Sequence, residues 1–539
     1  MAGVCGGPPD PPGDLRPPPG HAALGDLPGL PRALPEASVT GSPLPSGSEW
    51  TFEAIAAHDA AIAELADAHG LERYPHRLEI ITSEQMMDAY ASAGMPVNYH
   101  HWSFGKHFLA TEGRYRRGRM GLAYEIVINS DPCIAYLMEE NSLPMQALVV
   151  AHAAYGHNSF FKGNLLFRQW TSPDTILDYL VFARNYLASC EERHGVEAVE
   201  AILDACHALM NFGVDRFRRA PRPSLAREIQ RRQEREAHRQ SQVNELWRTL
   251  PAGRAREAPG EPERFPAQPE ENLLYFIEKH APLLEPWERE VVRIVRKIAQ
   301  YFHPQRQTQV MNEGWATFWH YTLLTELHAQ GRIGDGFMLE CLHAHTNVVM
   351  QPPHDSPAYA GINPYALGFA LWSDLRRMCE APDAEDRAWF PEVAGQPWGE
   401  VFPFAMANFK DESFIAQFLS PRLMRAFRFF TVQDDDRERT LAIGAIHDES
   451  GYRTLRNALA DQYNLGSREP DIQVWNVDRR GDRSLTLRYT SRNRRDLGGD
   501  WQAVLAHAAF LWGFTVRLEE ATAGGEVRFL GEHVPAPRR

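Results

Sequence analysis

Hydrophobic and polar positions along the chain recur mainly with a helical period. From residue 50 to about residue 215, apolar residues return every three or four positions, as in WTFEAIAAHDAAIAELADAHGL and TILDYLVFARNYLASCEERHG. The second of these segments stops at a glycine, which is typical of a helix end. The short run AYEIVIN (123–129) instead has the apolar, β-branched character of a strand. This part of the chain is therefore predicted to be mainly helical with few strands.

A second helical block is predicted from Leu273 to about residue 430. It contains PWEREVVRIVRKIAQYF and NEGWATFWHYTLLTELHAQG, which both carry apolar stripes at helical spacing, and the second ends at Gly331. Between the two blocks, residues 216–270 are dense in arginine, glutamate and glutamine. Because the glutamates offset the arginines, we interpret this stretch as a solvated helix or connector rather than a nucleic-acid arm.

The last hundred residues change pattern again. A short apolar run, LAIGAIH, precedes a helical segment, GYRTLRNALADQYNL, and two alternating segments, DIQVWNV and SLTLRYT, flank the turn DRRGDR. A helix, WQAVLAHAAFLWG, and a strand, TVRLEE, follow. The order strand, helix, strand, strand, helix, strand is that of a ferredoxin-like module. The predicted fold class is therefore α+β: a mainly helical core with a few strands, plus a small C-terminal ferredoxin-like βαββαβ module.

These patterns divide the chain into three regions. Residues 1–48 are rich in proline, glycine and serine, and we expect them to be disordered because they bury too little apolar surface to fold. Residues 49–435 form the mainly helical core, including the charged connector at 216–270. Residues 436–539 form the C-terminal α/β module.

Composition and charge narrow the classes of function. Of the 539 residues 44% are hydrophobic, which is enough for a large core, and the formal net charge of −14 argues against binding to nucleic acid or anionic membranes. The sequence shows no secretory signal and no segment apolar enough to cross a bilayer, so we expect a cytoplasmic protein. Six scattered cysteines without a C-x-x-C pair predict reduced, mostly buried thiols.

Two segments concentrate residues that could carry chemistry. VVAHAAYGHNSFFKGN (149–164) places His152 and His157 in an apolar helical run, and QTQVMNEGWATFWH (307–320) places Glu313 and His320 on one helical face. Burying so many polar groups costs free energy unless each finds a partner. Two histidines from one helix and a glutamate from a later helix are also the ligand set of many zinc enzymes.

We therefore predict a metal site with His152, His157 and Glu313 as ligands and zinc as the expected divalent ion, with His320 nearby as an acid or an orienting group. The usual H-E-x-x-H motif places its histidines four apart and supplies a glutamate as general base. Here Ala153 stands at the position of that glutamate, so Glu125 or Glu313 would have to act as the base. The alternative is a buried hydrogen-bond network that fixes the packing of two helices.

The spacing of the two histidines restricts the backbone conformation that could bring them to one ion. Five residues on a regular α-helix turn the second side chain about 140° away from the first. A helix break or a π-bulge near Gly156 would be needed to bring both imidazoles to one ion.

Other histidines are weaker candidates. His101 and His345 are the next residues expected to line such a pocket, whereas His343 and His354, in a segment predicted to be loop-like, more often hydrogen bond to the backbone. The sequence contains no P-loop, no G-x-G-x-x-G after a strand and no G-x-S-x-G elbow. Chemistry that depends on a nucleotide or a serine nucleophile is therefore not expected.

Six segments resemble the signatures of the SpoVR family, named for stage V sporulation protein R. They are AHAAYGHNSFFKGN, MNEGWATFWHYTLL, HAHTNVVMQPP, GINPYALGFAL, FKDESFIAQFLSPR and LRNALADQYNL. The similarity runs from about residue 50 to about residue 520 and is closest to the proteobacterial branch. Gly163 stands where the family pattern has asparagine.

The resemblance implies a cellular pathway for the protein but no specific chemical reaction. The founding member is linked to spore cortex formation, and relatives in bacteria that do not sporulate are encoded beside a PrkA-type serine kinase and a von Willebrand factor A-like protein. A stress, stationary-phase or sporulation-related role is therefore implied, and no established catalytic residue comes with it. Two hypotheses follow: a metal-dependent hydrolase or peptidase-like protein with a degenerate zincin-like motif, or a non-catalytic regulator or adaptor acting with those two proteins.

Overall fold

The computed structural model describes most of the chain between residues 42 and 536. The described residues are 42–91, 99, 101–102, 125–217, 234, 264–353, 356–357, 359, 361–429, 432–433, 442–443, 448–491, 497–522 and 525–536. The prediction of disorder for residues 1–41, most of the predicted connector at 216–270, and His354 lie outside these ranges. Residues 42–48 contact the folded part, since the Leu44 N–H donates to the Arg332 carbonyl and the Ser48 carbonyl accepts from the Leu143 N–H.

A small three-stranded sheet lies in the first half of the chain. Its strands are β1 (His76–Ile81), β2 (Glu125–Ile128) and β3 (Cys133–Met138), in the order β1-β3-β2. β3 runs parallel to β1 and antiparallel to β2, and every residue of β3 is buried. The strand predicted within AYEIVIN is thus confirmed as β2.

Helices surround this sheet in the first half of the chain. The long helix α6 (Ile176–His194) stops at Gly195, whose φ of 87° is in the left-handed region that favours glycine, so the stop predicted there is confirmed. The helices are α1 (Phe52–Ala68), α2 (Ser83–Ala91), α3 (Leu143–Val150), α4 (Asn158–Gly163), α5 (Leu165–Trp170), α6 (Ile176–His194) and α7 (Val196–Ala208). A π-helix, Ala151–His157, joins α3 to α4, and a 3-10 turn, Met210–Phe212, follows α7.

The second half of the core is helical, as its periodicity predicts. Its helices are α8 (Leu273–His280), α9 (Pro286–Gln307), α10 (Gln309–Ala329), α11 (Asp335–Val348), α12 (Pro364–Glu380), α13 (Ala384–Trp389), α14 (Trp398–Asn408), α15 (Asp411–Phe418) and α16 (Pro421–Ala426). The segment containing His343 and His345 was predicted to be loop-like, and this prediction is wrong for both residues because they lie on α11.

The C-terminal region confirms the α+β class and changes its strand order. The elements are β4 (Val432–Gln433), β5 (Ala442–Ile443), α17 (Glu449–Tyr463), α18 (Leu465–Arg468), β6 (Asp471–Val477), β7 (Leu485–Thr490), α19 (Trp501–Trp512), β8 (Val516–Ala521) and β9 (Val527–His533). The main sheet has the order β6-β7-β8-β9, with β7 and β8 parallel and the other neighbours antiparallel.

The ferredoxin-like βαββαβ order is therefore replaced by ββαββ. The predicted first strand contributes Ala442–Ile443, which pair with Val432–Gln433 in a separate two-stranded sheet. The fourth strand of the main sheet is β9, which was not predicted from the sequence. VRFLGEH does not alternate cleanly between apolar and polar residues, and β9 is half exposed at the edge of the sheet, so its period-two signal is weak.

The buried apolar residues that the structure describes form two cores that meet at β3. The first core includes α1, the π-helix, α10 and α12, and the second includes α6 to α9 with the C-terminal sheet and α19. Ala135 and Leu137 of β3 belong to the first core, and Ile134, Tyr136 and Met138 belong to the second. Successive side chains of a strand point to opposite faces, so β3 separates the cores and contributes to both.

Glycines bring α10 close to its neighbours. A Cβ atom at Gly314 would overlap the backbone of Gly368 on α12, and one at Gly156 of the π-helix would lie 2.5 Å from the Ala316 Cα. The backbones therefore approach more closely than side chains would allow, and the polar residues of α10 come within reach of the π-helix. Among the residues that the structure describes, no helix has the length and apolar character needed to span a bilayer.

Candidate metal centre

The π-helix gives the two histidines a common face. Its residues, Ala151–His157, include both His152 and His157, which are buried. In a π-helix each N–H bonds to the carbonyl five residues earlier, so residues five apart lie about one turn apart on the same side. The departure from α-helical geometry that the spacing requires near Gly156 is therefore confirmed.

Strand β2 carries Glu125 to the same place. Ile126 and Ile128 point into the second core, so Glu125 and Val127 face the first core, which contains the π-helix. The Oε1 atom of Glu125 lies 3.0 Å from the His152 Nε2 atom and 3.7 Å from the His157 Nε2 atom.

Helix α10 supplies the second carboxylate. The Oε2 atom of Glu313 lies 3.4 Å from the His157 Nε2 atom and 3.9 Å from the His152 Nε2 atom. That oxygen is buried and accepts no hydrogen bond of good geometry from the described residues. The Tyr365 hydroxyl hydrogen bonds to the Glu313 side chain. A buried, ionised oxygen without a full set of donors requires a cation nearby.

The histidine–carboxylate distances in the cluster match the ligand spacing around a small metal ion. Zinc lies about 2.0–2.2 Å from nitrogen and oxygen ligands, so two ligands of a tetrahedral site are roughly 3.3 Å apart. The four histidine–carboxylate separations run from 3.0 to 3.9 Å. Glu125, His152 and His157 each offer an atom within 4.8 Å of the others. The side chains of Glu125 and Glu313 remain 14% and 19% exposed, so the cluster is not completely closed to solvent.

The far nitrogens of both imidazoles are held by hydrogen bonds. His157 Nδ1 lies 2.9 Å from the Asn312 Oδ1 atom, which accepts its proton, and His152 Nδ1 lies 2.9 Å from the His320 Nδ1 atom. Metal-binding histidines typically use their second nitrogen in this way, which fixes the ring and leaves Nε2 for the ion. His320 therefore lies behind His152 in an orienting position, away from the two carboxylates.

Charges in the cluster reinforce one another. Burial lowers the pKa of His157, but Glu313 and Glu125 raise it more strongly and bring it to about 9. Burial raises the pKa of Glu313, but the attraction of His157 and His152 outweighs burial and lowers it below the usual value. The two carboxylates thus create a site that favours bound positive charge, whether a proton or a metal ion.

The remaining candidates separate into two groups. His345 joins the cluster through His320, whose Nε2 atom lies 2.8 Å from the His345 Nδ1 atom. His101 does not join it, because its Nε2 atom pairs with Asp204 of α7 at 3.1 Å. Asn312 and Tyr365 belong to the site but were not predicted from the sequence. Asn312 directly precedes Glu313, and this adjacency was its only signal.

Comparison with known proteins covers both regions of the chain. Residues 49–468 match the family model described as SpoVR like protein, and residues 470–523 match the SpoVR-like C-terminal domain. The chain belongs to the SpoVR family. The first of these matches spans every residue of the candidate metal centre.

A SpoVR-family relative from a proteobacterium shares most of this sequence. The Escherichia coli (strain K12) protein described as Uncharacterized protein YcgB is 60% identical over 487 residues, which cover 90% of this chain and 96% of that protein. No solved structure matches the chain.

Proposed function

We propose that this SpoVR-family protein is a metal-dependent hydrolase whose ion is held by His152, His157 and Glu313. One observation supports the proposal above all: each imidazole Nε2 atom lies within 4 Å of both carboxylates, while the Nδ1 atoms are held by hydrogen bonds. Such a set of two histidines and a carboxylate is common in catalytic zinc sites.

The two carboxylates have different proposed roles. Glu313 is assigned as the ligand because its Oε2 atom lies 3.4 Å from the His157 Nε2 atom and 3.9 Å from the His152 Nε2 atom. Glu125 is the general base: its Oε1 atom faces the same two nitrogens and accepts a proton at the ion-facing side. A divalent ion held there would lower the pKa of its water toward neutrality and so would supply the nucleophile. His320 keeps His152 in position.

Imidazole and carboxylate ligands narrow the identity of the ion. These ligands suit zinc, iron and manganese, whereas calcium and magnesium prefer sites made of oxygen alone. Zinc is the ion we propose, because two histidines and one carboxylate form its usual hydrolytic ligand set.

Elemental analysis of the purified protein tests the proposal. We expect about one equivalent of zinc, iron or manganese in the wild type. The double variant His152→Ala with Glu313→Ala should lose it. The matched control combines His343→Ala and Glu449→Ala, which remove one exposed histidine and one exposed glutamate outside the cluster and should leave the metal in place. Hydrolysis of ester and peptide substrates by metal-loaded protein, abolished by chelation and restored by the metal, would complete the test.

The opposite result favours the second hypothesis. If neither wild type nor variant contains metal and the double variant is severely destabilised, the four residues form a buried ionic network that fixes the packing of the π-helix against α10. The protein would then act as a non-catalytic adaptor, and pull-down with a PrkA-type kinase or a von Willebrand factor A-like protein becomes the next experiment.

A further inference from the structure

Three histidine rings form a continuous hydrogen-bonded chain that leads away from the candidate metal centre. His152 of the π-helix is bonded to His320 of α10, and His320 is bonded to His345 of α11, with nitrogen–nitrogen distances of 2.9 and 2.8 Å. All three side chains are buried. Both ring nitrogens of His320 are used within the chain, one toward each neighbour.

Each contact in this chain contains one proton. A neutral imidazole carries a single N–H and accepts at its other nitrogen, so two rings share a hydrogen bond only when one donates and the other accepts. Burial favours the neutral form of an imidazole, and both His320 and His345 are buried. The chain therefore has two possible directions, inward and outward.

The position of the proton on His152 determines the direction of the hydrogen bonds in the chain. When His152 Nε2 carries a proton, it donates to the Glu125 Oε1 atom 3.0 Å away, and its Nδ1 must accept from His320. His320 in turn accepts from His345, so all donors point inward. When a metal ion occupies Nε2, the only proton of His152 lies on Nδ1, so it donates to His320 and His320 donates to His345.

We propose that metal binding at His152 reverses the hydrogen-bond direction of the His152–His320–His345 chain, so that His345 on α11 helps to determine metal affinity. This inference rests on the proposed function. No ring changes its net protonation: the ion displaces the proton of His152 Nε2 to solvent, solvent supplies one to His345 Nε2, and the protons in between cross the two contacts. The ion thus changes which nitrogen of His345 carries the proton, two rings away.

The test uses substitutions at position 345 that each permit a single direction of the hydrogen bonds. Glutamate only accepts and holds His320 in the outward, metal-compatible direction, whereas lysine only donates and enforces the inward direction. Glutamine can do either. His343 is exposed on the same helix and outside the chain, so His343→Glu and His343→Lys place the same charges nearby without touching the hydrogen bonds.

The measured quantity is the affinity of each variant for Zn²⁺, obtained by competition with a chromophoric chelator. We expect His345→Lys to weaken Zn²⁺ binding by about 10–100-fold, the usual cost of disturbing an outer-shell partner, and His345→Gln and His345→Glu to retain it. If His345→Lys weakens binding no more than His343→Lys, the effect is one of charge alone and the chain proposal is overturned, although the metal centre stands. A wild type that binds no zinc overturns the proposed function and this inference together.

Circular dichroism and thermal unfolding show whether each variant folds. If the charged variants at position 345 do not fold, His345→Gln and His345→Met form a neutral pair. Glutamine supplies a donor or an acceptor as needed, and methionine offers no donor and only a weak acceptor. Tight zinc binding by the first and weakened binding by the second supports the proposal, and equal affinities overturn it.

Discussion

Glu125 and Glu313 approach the same two imidazoles from different elements, and their assigned roles predict different losses. We expect Glu313→Gln to reduce the metal content from about one equivalent to a small fraction of it, because an amide replaces an anionic ligand. Glu125→Gln should retain the metal and lose hydrolysis. Elemental analysis of both single variants is the measurement. If instead Glu125→Gln loses the metal and Glu313→Gln keeps it, the ligand and the base exchange roles.

Asn312 is a second residue with a testable role in the proposed metal site. Its Oδ1 atom accepts a hydrogen bond from His157 at 2.9 Å, so it fixes the tautomer of that imidazole. Asn312→Leu should lower the affinity for Zn²⁺ by about 10–100-fold, as loss of an outer-shell partner does. Asn312→Asp, which keeps the acceptor, should rescue binding. Chelator competition distinguishes these outcomes, and equal affinity of the leucine variant and the wild type would contradict the role.

Residue types in the sequence were sufficient to locate most of the centre. His152, His157 and Glu313 were predicted as ligands, and the structure brings them together, although their occupation by a metal stays a prediction. Asn312 and Tyr365 were missed because an asparagine or tyrosine beside a helix has many ordinary roles. Only the three-dimensional distance to an imidazole or a carboxylate gives either residue a place in the site.

Among the elements, α10 depends on glycine contacts for its position. A side chain at Gly314 would meet the backbone of Gly368, which cannot move aside as a flexible side chain does. Gly314→Ala should destabilise the protein by about 1–3 kcal/mol through overpacking and should lower the metal content, since Glu313 is the adjacent residue. The control is Gly336→Ala on α11, where an added Cβ meets no atom within 4 Å.

Denaturant unfolding and elemental analysis test both glycine variants. Gly336→Ala should leave the metal unchanged and alter the free energy of unfolding by less than about 1 kcal/mol, because alanine is the better helix former. A Gly314→Ala variant with wild-type stability and wild-type metal content would show that α10 tolerates a shift away from α12.

At the level of elements, the sequence predicted those with strong periodicity and missed those with weak signals. The five-residue histidine spacing was informative because an α-helix could not satisfy it, and the π-helix is the result. β9 was missed because an exposed edge strand needs little apolar alternation. Helix α11 was interpreted as a loop because of the proline-rich residues that follow it, although the helix itself ends at Val348.

Across the whole molecule, His303 makes stability depend on pH. Both of its ring nitrogens are buried without a hydrogen-bond partner among the described residues. Burial, followed by the positive charges of Arg306 and Arg216, lowers its pKa to about 4, below the usual 6.5. The unfolded chain therefore binds a proton that the folded chain excludes, and the stabilisation present above pH 6.5 is lost as the pH falls toward 4.

The size of this effect can be measured. Between pH 7.5 and pH 5, His303 should contribute a loss of about 2 kcal/mol in the free energy of unfolding. His303→Leu should remove this share of the pH dependence, whereas His343→Leu, at an exposed position on α11, should not. Denaturant titrations at both pH values provide the comparison, and identical pH dependence in wild type and His303→Leu would contradict the assignment.

The C-terminal region is part of the second core, so we expect it to be required for folding of the whole chain. Glu270 and Val474 exchange two backbone hydrogen bonds of 3.0 and 2.8 Å, and the Phe276 ring stacks on Trp512. A chain truncated after Glu469 should expose apolar residues of α7 to α9, bind a hydrophobic dye and unfold at a lower temperature. A truncated protein with the wild-type melting temperature would show instead that the region folds separately.

The alternating faces of β3 affect how molecules with a shifted strand register could be detected. Both faces of this strand are apolar, so the hydrophobic pattern alone scarcely distinguishes the native pairing from one shifted by a single residue. Such a shift of β2 against β3 would turn Glu125 away from the histidines and toward the second core, because its residues would exchange faces. Misassembled molecules would keep both faces of β3 buried and would pass an assay of size. They would be recognised by their lack of hydrolytic activity. Hydrolytic activity per bound ion would therefore measure the quality of a preparation better than its purity does.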